Sequence, residues 1–164
     1  MLILGIDPGT ATTGWGILKA SEVNGTLEAI EYDCISTPPE MPMHERLLKL
    51  KKELQELIKR FKPNCVAVEQ LFFGVNSRTA MTVGQARGVV MVTVAENDVP
   101  FFEYQGLAVK QTLTGYGRAD KKQMQAAVRE KLAITEFIKP KNGFLDDAAD
   151  ALAIAICHVL KTKK

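Results

Sequence analysis

Apolar residues in this chain fall into short runs and longer periodic stretches, which alternate along its length. Residues 2–6 are apolar on both faces, as suits a strand in the middle of a sheet. Asp7-Pro8-Gly9 then turns the chain, with proline presetting one dihedral and glycine free to take a positive φ. Residues 14–20 and 27–36 read as two further strands joined through Asn24-Gly25, a strong hairpin signal. The first third is therefore an antiparallel meander. Leu47, Leu50, Leu54, Leu57 and Phe61 next fall on one helical stripe, with Lys and Glu opposite. A buried strand over 65–69 follows Pro63. Residues 79–97 predict a helix that is apolar over much of its circumference, either a core helix or a subunit interface. Residues 100–104 make a fifth strand. Short helical material from Leu107, a helix over 119–132 and a last helix over about 146–161 complete the chain.

The order β-β-β-α-β-α-β-α-α predicts a three-layer α/β fold. Its five-stranded mixed sheet would combine the antiparallel meander with two strands added through helical crossovers. No repeat, low-complexity tract or linker interrupts the pattern, so residues 1–164 are expected to form a single domain. With 46% hydrophobic and 24% charged residues the composition is that of an ordinary globular protein. A net charge of +2 is weak evidence for nucleic acid, and the lysine clusters at 49–52, 121–122 and 161–164 read first as solvated helix faces. Cys34, Cys65 and Cys157 are far apart and lack a C-x-x-C, which argues against a disulfide framework or zinc site and for a reducing, cytoplasmic setting. No basic flank precedes the first apolar run, and the longest apolar stretch, 151–160, is half a membrane span.

The candidate chemistry lies in carboxylates at the ends of elements. Asp7 closes the first strand and Glu69 the fourth. If those strands are parallel neighbours, both acids reach the sheet edge where open α/β sheets place their ligand sites. The last helix opens as FLDDAAD, with Asp146, Asp147 and Asp150 ahead of a buried run. Acidic groups converging there would repel, implying raised pKa values or bound cations. Hard oxygen donors without paired histidines or thiolates point to Mg²⁺ or Mn²⁺. Two such ions about 3.5–4 Å apart suit phosphodiester hydrolysis. Taken singly, each acid has a structural explanation. Asp-Pro-Gly is a common turn, a Glu at a strand exit is often just solvated, and Asp147 with Asp150 resembles a capping box. The metal site rests on their conjunction. At about 100° per residue, Asp146 and Asp147 lie roughly 40° and 60° from Asp150, so helix geometry leaves both open as its companion.

The segments ILGIDPGTATTGWG, VAVEQLFF, GQARGVV, VKQTLTGYGRADKKQMQ and DDAADALAIAICH, in that order over nearly the whole chain, resemble the RuvC family of Holliday-junction resolvases. The resemblance implies a ribonuclease-H-like fold and a Mg²⁺-dependent endonuclease. It makes Asp7, Glu69, Asp147 and Asp150 the metal-binding catalytic carboxylates, which leaves Asp146 as the expected N-cap of the last helix. It further implies a homodimer that makes two symmetric nicks in a four-way DNA junction, leaving 5′-phosphate and 3′-hydroxyl ends. Branch-migration proteins of the same recombination system would be its partners. Phe72 matches the family's aromatic residue near the junction centre, where a ring stacks on an unpaired base; Phe73 is its alternative. Asn76 and Arg78 share that loop as candidate phosphate contacts. Lys110 and Lys121 match basic residues near the scissile phosphate, with Lys122 replacing Lys121 if the register shifts. His158 reads as a helix-end residue without a role.

Three competing functions fit less well. Ribonuclease-H-like nucleases that process ribosomal RNA precursors also open with Asp-x-Gly but carry an arginine soon after, where this chain has Thr10 to Gly14. Actin-like ATPases and sugar kinases need a second domain and a second phosphate loop. A non-catalytic junction-binding dimer leaves the acidic cluster unexplained.

Overall fold

The computed structural model describes residues 1–9, 11–70 and 79–162. Ten elements follow one another: β1 (Leu2–Asp7), β2 (Thr12–Ala20), β3 (Leu27–Ser36), α1 (Met43–Phe61), β4 (Cys65–Gln70), α2 (Ala80–Glu96), β5 (Phe101–Gln105), α3 (Gly106–Thr114), α4 (Lys121–Leu132) and α5 (Leu145–Thr162). The short helical material after β5 is thus a full helix. The sheet order is β3-β2-β1-β4-β5. β1 pairs antiparallel with β2, and β2 with β3; β4 joins parallel to β1, and β5 parallel to β4. This is the five-stranded mixed sheet expected from the periodicities, and it agrees with the ribonuclease-H-like fold that the resemblance implies.

Local chemistry accounts for most boundaries. Gly25 turns the β2–β3 hairpin at φ 72°, and the Asn24 side chain accepts from the Thr26 backbone N–H at 3.1 Å. α1 stops at Lys62 in the left-handed region, immediately before Pro63. α4 starts in a capping box, in which Asp120 accepts from the Gln123 backbone N–H at 2.8 Å and the Gln123 side chain accepts from the Asp120 N–H at 2.9 Å.

Strand alternation sorts side chains into two cores. Leu4, Ile6, Trp15, Ile17, Val66 and Val68 pack against Leu50, Leu54 and Leu57 of α1 and Ala86, Val90 and Val94 of α2. Ile3, Leu18, Cys65 and Ala67 face the opposite layer of α3, α4 and α5. α5 occupies the centre of that layer, and every residue from Ala148 to Val159 except Asp150 is buried. A helix apolar all round is stable only when enclosed in this way. No helix among the described residues is long and apolar enough to cross a membrane. Cys34, Cys65 and Cys157 are free and buried.

His158 differs from its expected role. It is 3% exposed, and it shares hydrogen bonds with Tyr104 Oη at 2.8 Å and Cys65 Sγ at 3.3 Å, which join α5 to β5 and β4. Burial lowers its pKa. Its place on the apolar stripe of the last helix was the available signal.

Candidate active site

Side chains alternate along a strand, so Asp7 shares a face with Ile3 and Gly5, and Glu69 with Cys65 and Ala67. β1 and β4 are parallel, with Gly5 opposite Ala67 and Ile6 opposite Val68. One further step brings Asp7 and Glu69 side by side at the C-terminal edge, on the face covered by α5. Three strand positions beneath α5 are glycines. A Cβ on Gly5 would overlap the Ala151 carbonyl oxygen, one on Gly14 the Asp147 carbonyl oxygen, and one on Gly16 the Leu152 side chain. The helix therefore rests on strand backbone, and its first turns deliver Asp147 and Asp150 to Asp7 and Glu69. Gly106 has a matching function at the start of α3, where an added Cβ would collide with the Glu69 carboxylate.

The four acids perturb one another. Burial raises Asp7 well above the ordinary carboxylate range, and the charges of Glu69, Asp150 and Asp147 push in the same direction. Burial also raises Glu69, opposed by a hydrogen bond with Asp7 and by the Lys110 charge. Asp150 is pushed up to about 6, chiefly by burial and against the pull of Lys121. Asp147 is raised by burial, again opposed by Lys121. Beside them lies a cleft of about 230 Å³ lined by Glu69, Gly106, Lys110, Lys121, Met124 and Asp150 among others. The structure thus brings both expected lysines to the carboxylates, whereas Lys122 is exposed and does not line the cleft. Phe72, Phe73, Asn76 and Arg78 lie outside the described residues.

Asp146 is not the expected N-cap. It stands inside the first turn of α5, which begins at Leu145, and its carboxylate crosses to α4. There it accepts from Lys121 Nζ at 3.0 Å and from Gln125 Nε2 at 2.7 Å. Two donors from a neighbouring helix outcompete a local backbone bond.

Among the described residues no three His, Cys, Asp or Glu side chains are arranged to hold a metal ion as they stand. Asp7 and Glu69 hydrogen-bond each other instead. The donor set still fits a hard dication. Four carboxyls supply oxygen only, and burial, the chief cause of their raised pKa values, disfavours ionised forms that such an ion would stabilise.

The family model described as crossover junction endodeoxyribonuclease RuvC matches residues 3–158. The chain belongs to the RuvC family. A member from Chloroflexus aurantiacus is 53% identical over 158 residues, covering 96% of this chain and 92% of the relative. The Thermus thermophilus RuvC structure is similar with a TM-score of 0.86 at 34% identity, over 99% of this chain and 96% of that one. T. thermophilus RuvC in complex with a Holliday junction substrate gives a TM-score of 0.85 at 31% identity, with the same coverage. By family, then, the chain is a DNA endonuclease of the crossover-junction class.

Proposed function

We propose that the chain resolves Holliday junctions by hydrolysing DNA strands at the four carboxylates Asp7, Glu69, Asp147 and Asp150, which hold Mg²⁺ or Mn²⁺. One observation carries the assignment of these residues. Carboxyls from three separate elements converge on one sheet edge; burial raises the pKa of each, and neighbouring acids push Asp7, Asp147 and Asp150 further up. A capping or solvated role accounts for one such acid, and no such role accounts for four together. Dications held by these four residues, two per site on this reading, would supply the neutralising charge and would activate the attacking water. The residues of the chain do the rest. Lys110 and Lys121 hold the phosphate as point charges and stabilise the negative charge that grows on its oxygens during hydrolysis.

The protein works as a single nuclease domain over residues 1–164 and pairs into a homodimer. It makes two symmetric nicks that leave 5′-phosphate and 3′-hydroxyl ends. A two-fold assembly matches the two equivalent strands of a four-way junction. The outer face of α2 supports this pairing. Met81 is 75% and Val92 55% exposed, and Gly84 and Gly88 between them face open space. These four positions follow the helical repeat, so they form one stripe on which a second copy can pack closely. Phe72, with Phe73 beside it, stacks on a base at the junction centre, and Asn76 and Arg78 contact phosphate. The setting is the cytoplasm, with branch-migration proteins of the same recombination system as partners.

Asp7→Asn tests the mechanism. The variant should fold and bind a labelled four-way junction while losing cleavage in Mg²⁺ by at least about 100-fold. Duplex DNA and ATP run in parallel should be left intact by the wild-type protein. Cleavage by Asp7→Asn at the wild-type rate would sink the carboxylate assignment.

A further inference from the structure

Lys121 is the first residue of α4, and its side chain is 71% exposed. Its ammonium is nevertheless tethered, with Nζ 3.0 Å from Asp146 Oδ2. Asp146 is itself fixed on its other oxygen, which accepts from Gln125 Nε2 at 2.7 Å. Lys121 and Gln125 are four residues apart on α4, so both reach one carboxylate across the seam with α5. Lys110, the other lysine of the cleft, differs. It lies in the field of Glu69, and among the described residues no ion pair holds it.

Lys121 also lies in the fields of Asp150 and Asp147. An untethered lysine has two favourable places to go. It could fall into the carboxylate cluster, where it would neutralise the oxygens that the reaction needs. Otherwise it would extend into water, where a flexible four-carbon stem keeps its rotamer freedom. Neither place serves an incoming phosphate. Asp146 offers a third site, on the neighbouring helix, outside the cluster and still on the cleft.

We propose that Asp146 is a positioning residue, holding the Lys121 ammonium at the rim of the cleft, clear of the four carboxylates and ready for a DNA phosphate. This deepens the function proposed above and rests on Lys121 acting there as a phosphate-binding cation. It also explains why a fifth acid is tolerated beside an already crowded site, since its charge is spent on Lys121.

Single-turnover cleavage of a labelled four-way junction, measured together with junction affinity in the absence of divalent metal, tests the idea. The variants are Asp146→Ala, Asp146→Asn, Lys121→Ala and the double variant Lys121→Ala/Asp146→Ala. Asp146→Asn keeps a carbonyl oxygen for Gln125, so it preserves the α4–α5 contact while removing the charge. Both Asp146 variants should slow cleavage about fivefold, the scale of an exposed ion pair, with junction affinity unchanged. In the Lys121→Ala background, Asp146→Ala should slow it no further. A merely structural role would not vanish with Lys121. Equal slowing with and without Lys121, or wild-type rates for both Asp146 variants, would overturn the inference. Wild-type cleavage by Lys121→Ala would instead overturn the function given to Lys121, and the positioning role with it.

Discussion

On one face of the sheet Leu4, Ile6, Trp15, Ile17, Val66 and Val68 present large side chains to α1 and α2; on the other, Gly5, Gly14 and Gly16 present none to α5. The first face holds its helices through interlocking side chains, which adjust their rotamers when a neighbour changes. The second carries Ile3 and Leu18 as well, but at Gly5 and Gly14 the helix meets strand backbone directly, and a peptide carbonyl has no rotamer to change. The carboxylates are all on the second face. Carboxylates acting as proposed must be placed to a fraction of an ångström, and the rigid contact is the one that fixes α5 relative to β1 and β2.

The largest break in this comparison should come from Gly14→Ala. The added methyl meets the Asp147 carbonyl oxygen, so α5 must lift at its catalytic end. The expected cost is about 3 kcal/mol of stability by chemical denaturation, with cleavage falling on the order of 100-fold for a displacement of about 1 Å. A folded variant that cleaves normally would show that the close approach is dispensable.

Asp150→Asn should move stability the other way. Burial, with further pushes from Glu69, Asp146 and Asp147, takes Asp150 from 3.8 to about 6 against the pull of Lys121. Because the folded value is the higher one, this group's contribution is fully present below the unfolded pKa and is lost as pH rises through the folded one, about 6. The asparagine variant escapes that loss. Without divalent metal it should be more stable than the wild type by about 1–2 kcal/mol near neutral pH. The gap should close as the pH falls towards 4, the wild-type value being 3.8 when unfolded. Thermal melts at the two pH values measure it, and a gap that widens in acid would contradict the electrostatic account.

The smallest effect belongs to the other face. Ile17→Val removes one methylene from a fully buried residue packed towards α1 and α2. It should cost about 0.5–1.5 kcal/mol and leave junction cleavage unchanged. A cleavage defect as large as that of Gly14→Ala would erase the distinction between the faces.

Much of this architecture was legible in the chain. The five strands, the meander and the long helices followed from periods of two and of 3.6, because those periods are local properties of one element. Asp7 and Glu69 were legible as neighbours because parallel strands carry their C-terminal ends to one edge. The seating of α5 was harder to read. Gly5, Gly14 and Gly16 look like ordinary strand glycines until a helix backbone is found lying on them. His158 looked like a helix end for a similar reason, since its partners Cys65 and Tyr104 lie 93 and 54 residues away.

The sequence by itself determined the elements and the family, and put forward the acids proposed to carry the chemistry. Asp146 shows where that stops. The helical repeat put both Asp146 and Asp147 within a fraction of a turn of Asp150, and no local rule separated them or sent one across to another helix. Only the packing of α4 beside α5 did so, by placing Lys121 and Gln125 within hydrogen-bond reach of Asp146 and leaving Asp147 to the sheet edge. The physical reason is that a side chain's angular position belongs to its own helix, whereas its partner is set by elements distant in sequence and adjacent only after folding.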